Sequence, residues 1–154
     1  MFKPDLNFVL KNRENGLLNL ASIMNKTTNI LLVEDDELDI EFIRRLFVKH
    51  GVKNTIYLAS DGVEALDILR GENNKTKIQQ PYIVLVDINM PRMNGLELLK
   101  EIRNDSQLKY DSVFILTTSD YEVDLKTAYS LNVSGYYLKK DILMLVNSLG
   151  QTRH

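Results

Sequence analysis

Four polar clusters each follow a short apolar run, and their side chains are of types suited to phosphate and divalent-cation chemistry. Glu34, Asp35 and Asp36 follow NILLV; Asp87 and then Asn89 follow IVLV; Thr117, Thr118 and Ser119 close SVFILT; Lys139 closes GYYLK. Carboxylates held together repel unless a cation joins them. Hard oxygen donors in a chain without cysteine select a hard divalent ion such as Mg²⁺. Mg²⁺ keeps positions for water and substrate phosphate oxygens, so the cluster points to phosphate chemistry. Asp87 is then placed to attack phosphorus as a carboxylate nucleophile. Glu34, Asp35, Asp87 and a backbone carbonyl near Asn89 provide the metal's protein oxygens, while Lys139 and the Thr117 hydroxyl offset charge on the transferred group.

Each of these residues also has a plain structural explanation. Asp36 opens a helix, where a carboxylate suits the N-terminus. Thr117 ends a strand or caps the next helix. Pro91 and Gly95 punctuate a turn, and Lys139 alone is a solvated lysine. The conjunction at the ends of strands one, three, four and five is what favours a site.

The elements that must position these residues alternate along the chain. Apolar runs at 29–33, 55–59, 83–87, 112–117 and 135–139 lack polar alternation, as expected of strands buried on both faces of a parallel sheet. Helical stripes separate and follow them: Ile40, Ile43 and Phe47; Val63, Leu66 and Leu69; Leu96, Leu99 and Ile102; a weaker Val123, Ala128 and Leu131; and Ile142, Leu145, Val146 and Leu149. The pattern is α/β, a doubly wound (βα)5 domain over 29–150 with right-handed crossovers and helices on both faces. Residues 71–80 read as a polar surface loop, 1–28 as a partly helical N-terminal extension, and 151–154 as a tail. His50 is placed at the end of the first helix.

Composition narrows the function. The chain has 154 residues, is 44% hydrophobic and 26% charged, and carries a net charge of −2 with no cysteine. That balance offers no positive field for a nucleic acid and excludes thiolate chemistry. No apolar run reaches the roughly 18 residues of a membrane span. A secretory signal is not expected, because Asp5, Asn7, Lys11 and Arg13 interrupt the N-terminal apolar residues. A cytoplasmic protein is expected.

LLVEDDELD resembles the acidic-pair motif of the response-regulator receiver domains of bacterial two-component signalling. DINMPRMNG resembles their phosphoacceptor motif, ILTTSD their hydroxyl motif, and GYYLKK their aromatic–lysine motif. The gaps of 30 residues from Asp87 to Thr117 and 22 from Thr117 to Lys139 also fit, and the match spans about residues 28–150. The resemblance implies a flavodoxin-like receiver fold with strand order 2-1-3-4-5. It implies that Asp87 accepts a phosphoryl group and that Glu34 and Asp35 form the acidic pair. Asp35 would then bind Mg²⁺ directly, Glu34 through water and Asn89 through its backbone carbonyl. Thr117 and Lys139 would contact the phosphoryl group, and Tyr136 would be the switch aromatic that turns inward as Thr117 moves. Asn89 and Ser119 fall where the family tunes the lifetime of the acyl phosphate.

The implied donor is a sensor histidine kinase or a phosphotransfer protein. The stretch 103–118 is similar to stand-alone receivers paired with phytochrome-type kinases. No DNA-binding or enzymatic output module is expected, so output is expected through protein contact, including a homodimer face on helix four, strand five and helix five that involves Tyr137, Leu143 and Met144. One departure stands out: the family usually has Pro after the lysine, often with a cis bond, and here Lys140 follows. A non-proline cis bond costs about 2.5–4 kcal/mol, so a trans bond is expected, with Lys140 a second source of positive charge. Two rivals remain. A haloacid-dehalogenase-type phosphatase expects a second Asp where Asn89 stands and a nucleophile on the first strand. Against a phosphorylation-independent binding module stand the intact Asp35, Asp87, Thr117 and Lys139.

Overall fold

The computed structural model describes residues 25–118 and 121–141. Its strands are β1 (Asn29–Val33), β2 (Ile56–Ala59), β3 (Tyr82–Val86), β4 (Val113–Thr117) and β5 (Gly135–Leu138). Its helices are α1 (Glu37–Lys49), α2 (Gly62–Arg70), α3 (Gly95–Asn104) and α4 (Glu122–Ser130), and a short 3₁₀ turn, Lys139–Asp141, follows β5. The strands form one parallel sheet in the order β2-β1-β3-β4-β5, as expected. The stripe at Ile142, Leu145, Val146 and Leu149, residues 1–24 of the extension, Leu143, Met144, Ser119 and the tail lie outside the described residues.

Successive strand side chains point to opposite faces, so each strand feeds two cores. Leu31, Val33, Val84 and Val86 pack with α2, α3 and α4 through Leu66, Leu69, Leu99, Ile102, Leu125 and Ala128. Ile30, Leu32, Ile83 and Leu85 face the other way, onto Ile43 and Phe47 of α1. This two-sided burial is why β1, β3, β4 and β5 read as unbroken apolar runs; β2 departs from the expectation, because it lies at the sheet's edge and leaves Tyr57 39% exposed. One stripe needs correction at Val123, which is 68% exposed: α4 buries Leu125, Ala128 and Tyr129, with Ala128 as expected and Leu131 partly buried against the same core. That i, i+3, i+4 set starts two residues further on. The 71–80 loop is polar as expected except for Ile78, which is buried and whose N–H donates to the Ile68 carbonyl at 3.1 Å.

Local chemistry sets the helix ends. Asp36 caps α1 by accepting from the N–H groups of Leu38 and Asp39 at 2.9 and 3.2 Å, and His50 closes the helix, both as expected. Asn94 and Glu97 form a reciprocal capping box at the start of α3. At the end of the sheet remote from the acidic cluster, Arg103 donates to the carbonyls of Leu131, Lys109, Asp111 and Asn132, and Tyr82 donates to Asp111. The last residues of the expected extension join the domain: Asn54 Nδ2 donates to the Asn25 and Thr28 carbonyls at 2.8 and 2.7 Å.

Candidate functional site

Strand register brings the acidic residues together. Val33 of β1 is opposite Val86 of β3, so Glu34 and Asp87, one residue further along, leave the sheet at the same level. Both strands stop one residue before the carboxylate. Asp87 N–H still donates to the Val33 carbonyl at 3.1 Å, but its chain then turns, with the N–H groups of Met90 and Gly95 both on the Ile88 carbonyl. Carboxylate oxygens of Glu34, Asp35 and Asp87 lie within 4.8 Å of one another. Glu34 and Asp87 are buried and Asp35 is exposed, so the cluster opens outward on one side.

Lys139 reaches into this cluster from the far side. It stands just past β5, in the 3₁₀ turn, and its peptide bond to Lys140 is trans, as expected. Its Nζ lies 2.9 Å from Glu34 Oε2, 3.3 Å from Asp87 Oδ2 and 2.6 Å from Asp39 Oδ2. Lys140 is exposed. Burial alone favours a neutral Lys139 amine, but the hydrogen bonds to Asp39 and Glu34 and the charge of Asp87 outweigh it and hold the ammonium more firmly protonated than usual. Burial pushes the Glu34 carboxyl up, against the opposing contacts with Lys139 and the Asp36 N–H. Both Glu34 oxygens are therefore engaged within the protein.

Thr117 ends β4, fully buried and opposite Leu138 of β5, so it shares the sheet edge with Lys139. Tyr136 is 1% exposed and packs into the core on the α2–α4 face. Tyr137 does not line an exposed face: it is buried in the core on the α1 face, its ring stacked on Phe114 with centroids 6.3 Å apart. Asn89 sits exposed in the loop after Asp87.

That loop is held by groups the motif reading did not single out. Asp61, the N-cap of α2, accepts from the Glu64 N–H at 2.9 Å and from Arg92 at 2.7 and 3.1 Å. The Gly62 N–H also donates to the Met93 carbonyl at 3.1 Å. A Cβ on Gly95 would stand 2.3 Å from the Asp87 carbonyl oxygen, so only glycine lets α3 start so close beneath the acidic residue. Asp39 was missed as well. Its partner Lys139 lies 100 positions further along the chain, so no local pattern marks the pair.

The donor set fits a hard divalent cation. All three carboxylates offer oxygen, and Asp87 Oδ1 is buried with no hydrogen-bond partner among the described residues, an arrangement that is costly unless something else meets it.

Comparison with known proteins identifies this architecture. The model of the response regulator receiver domain matches residues 30–147. The chain belongs to this family. The receiver is 31% identical to response regulator Rcp1 of Synechocystis sp. over 124 residues, 78% of this chain and 84% of that one. A Mn²⁺-bound form of Rcp1 superposes with a TM-score of 0.68 at 29% identity, covering 79% of this chain and 91% of that one. A two-component response regulator from Legionella pneumophila gives 0.71 at 39% identity, with 80% and 95% covered. The phosphorylated cyanobacterial phytochrome response regulator RcpA gives 0.72 at 32%, with 81% and 92% covered. The receiver is therefore a two-component signalling protein, similar to phytochrome-associated regulators among others.

Proposed function

We propose that this receiver accepts a phosphoryl group on Asp87 from the phosphohistidine of a sensor kinase or phosphotransfer protein, and signals through the protein contacts that follow. The observation that carries this reading is the buried Asp87 Oδ1, without a hydrogen-bond partner among the described residues, beside the Glu34–Asp35 pair, with Lys139 Nζ 3.3 Å from the other Asp87 oxygen. A carboxylate oxygen of Asp87 attacks phosphorus, the P–N bond to the donor imidazole breaks, and the imidazole leaves with a proton taken up from water. Rigid β3 fixes the nucleophile, while Lys139 and the Thr117 hydroxyl oppose the charge on the phosphoryl oxygens.

Asp35, Asp87 and the Asn89 carbonyl would hold Mg²⁺, with Glu34 acting through water. The bound ion supplies neutralisation of the carboxylates and of the phosphoryl oxygens. Thr117 and Tyr136 serve as the switch pair that carries phosphorylation to α4 and β5. Similarity to Rcp1 and RcpA supports a phytochrome-type kinase as donor. A cytoplasmic location suits such a donor, and among the described residues no helix is long and apolar enough to cross a membrane.

Labelling with acetyl phosphate, with and without a chelator, tests the reading. The expected outcome is an acid-stable, base-labile modification that maps to the peptide carrying Asp87 and disappears with chelator. Turnover of a phosphomonoester, or label that maps elsewhere, contradicts it.

A further inference from the structure

Lys139 has three ammonium protons and meets three carboxylates. Two of them, Glu34 and Asp87, belong to the acidic cluster. The third, Asp39, comes from the first turn of α1 and makes the shortest contact, 2.6 Å against 3.3 Å to Asp87. Asp39 is 38% exposed, and an open cavity of about 100 Å³ lined by Asp39, Phe42, Ile43 and Lys139 lies beside the pair, so the ammonium has room to shift. With all three N–H groups engaged, a new acceptor beside Asp87 gains Lys139 only as an existing contact loosens.

We propose that Asp39 is a positioning residue that holds Lys139 toward α1 and competes with the reacting group for it, setting how readily the receiver takes up a phosphoryl group. The rate part of this inference rests on the reading of Asp87 as phosphoacceptor. Phosphorylation by a small-molecule donor is then slower than the acidic cluster and Lys139 alone would allow.

The test compares initial labelling rates with acetyl phosphate for wild type, Asp39→Asn, Glu37→Gln, Lys139→Ala and the double variant Asp39→Asn with Lys139→Ala. Glu37 shares the first turn of α1 and is exposed, so it reports what loss of one negative charge does by itself. Asp39→Asn is expected to raise the rate about threefold, the scale of one partly exposed ion pair. Glu37→Gln should change it less than about 1.5-fold, and Asp39→Asn should have no effect once Lys139 is alanine. A rate that is unchanged or lower in Asp39→Asn overturns the proposal, as does an equal rise in the Lys139→Ala background. A second readout needs no phosphodonor: the ¹⁵Nζ signal of Lys139, recorded without divalent cation, should shift in Asp39→Asn and not in Glu37→Gln. An unlabelled wild type sinks the Asp87 reading and the rate claim together. The Lys139 signal then still decides the contact, and its indifference to Asp39→Asn overturns that too.

Discussion

At the residue scale, the site depends on how one ammonium and three carboxylates share charge in a partly buried space. Lys139 is the cation beside both buried carboxylates. Its loss removes charge compensation for Glu34 and, on the proposed function, the group that would face the phosphoryl oxygens. Lys139→Ala is expected to slow initial phosphoryl uptake roughly a hundredfold, measured with a small-molecule donor, the cost of removing one preorganised charge-stabilising donor. The same variant should push the Glu34 carboxyl further up, because the hydrogen bond from Lys139 does the most to counter its burial. Titration of the Glu34 side-chain carbon signal checks this, and an unmoved titration would show that the two groups do not share charge as described.

At the element scale, the loop after β3 is fixed from two sides. Burial of Asp61 opposes its ionisation, but the hydrogen bonds from Arg92 and the Glu64 N–H outweigh it, so its carboxyl sits below the usual carboxylate range. A lowered folded-state value means stability that is present above the ordinary carboxylate range and lost as pH falls through the folded value. Asp61→Ala should therefore cost about 1–2 kcal/mol at neutral pH, the scale of a lost N-cap, and the gap to wild type should narrow below about pH 4 in denaturant titrations. Gly95→Ala drives a Cβ to 2.3 Å from the Asp87 carbonyl oxygen, which is backbone and cannot swing aside. It should cost about 1–3 kcal/mol of stability and slow labelling, since the displaced atoms belong to Asp87, the proposed acceptor.

Much at this scale was legible in the sequence. Sustained apolar runs marked the strands because both faces of the sheet are covered, and Asp36 and His50 marked the ends of α1 because capping is local. Val123 misled because a three-point stripe leaves the phase of a helix open, and only packing against the sheet selected Leu125, Ala128 and Tyr129. Tyr137, expected on a homodimer face, is turned inward onto Phe114 by the two-faced burial of β5. The Asp61–Arg92 and Asp39–Lys139 pairs join residues 31 and 100 positions apart, which no local pattern encodes.

At the scale of the whole molecule, one sheet carries two cores, so neither can be loosened without the other. Phe47→Ala on the α1 face and Leu99→Ala on the opposite face should each cost about 2–5 kcal/mol. Each should shift a single unfolding transition seen identically by far-ultraviolet circular dichroism and by tyrosine fluorescence. Two separated transitions would mean that the faces fold independently. The sheet also explains why the acidic cluster and Lys139 come from distant parts of the chain: parallel order 2-1-3-4-5 delivers the carboxyl ends of β1, β3, β4 and β5 to a single edge.

The most direct measurement is the intact mass of wild type and Asp87→Asn after incubation with acetyl phosphate and Mg²⁺, beside a known receiver as positive control. Wild type should gain one phosphoryl mass and Asp87→Asn none. An unchanged wild type while the control is labelled, or equal labelling of Asp87→Asn, would contradict the assignment of Asp87 as the acceptor.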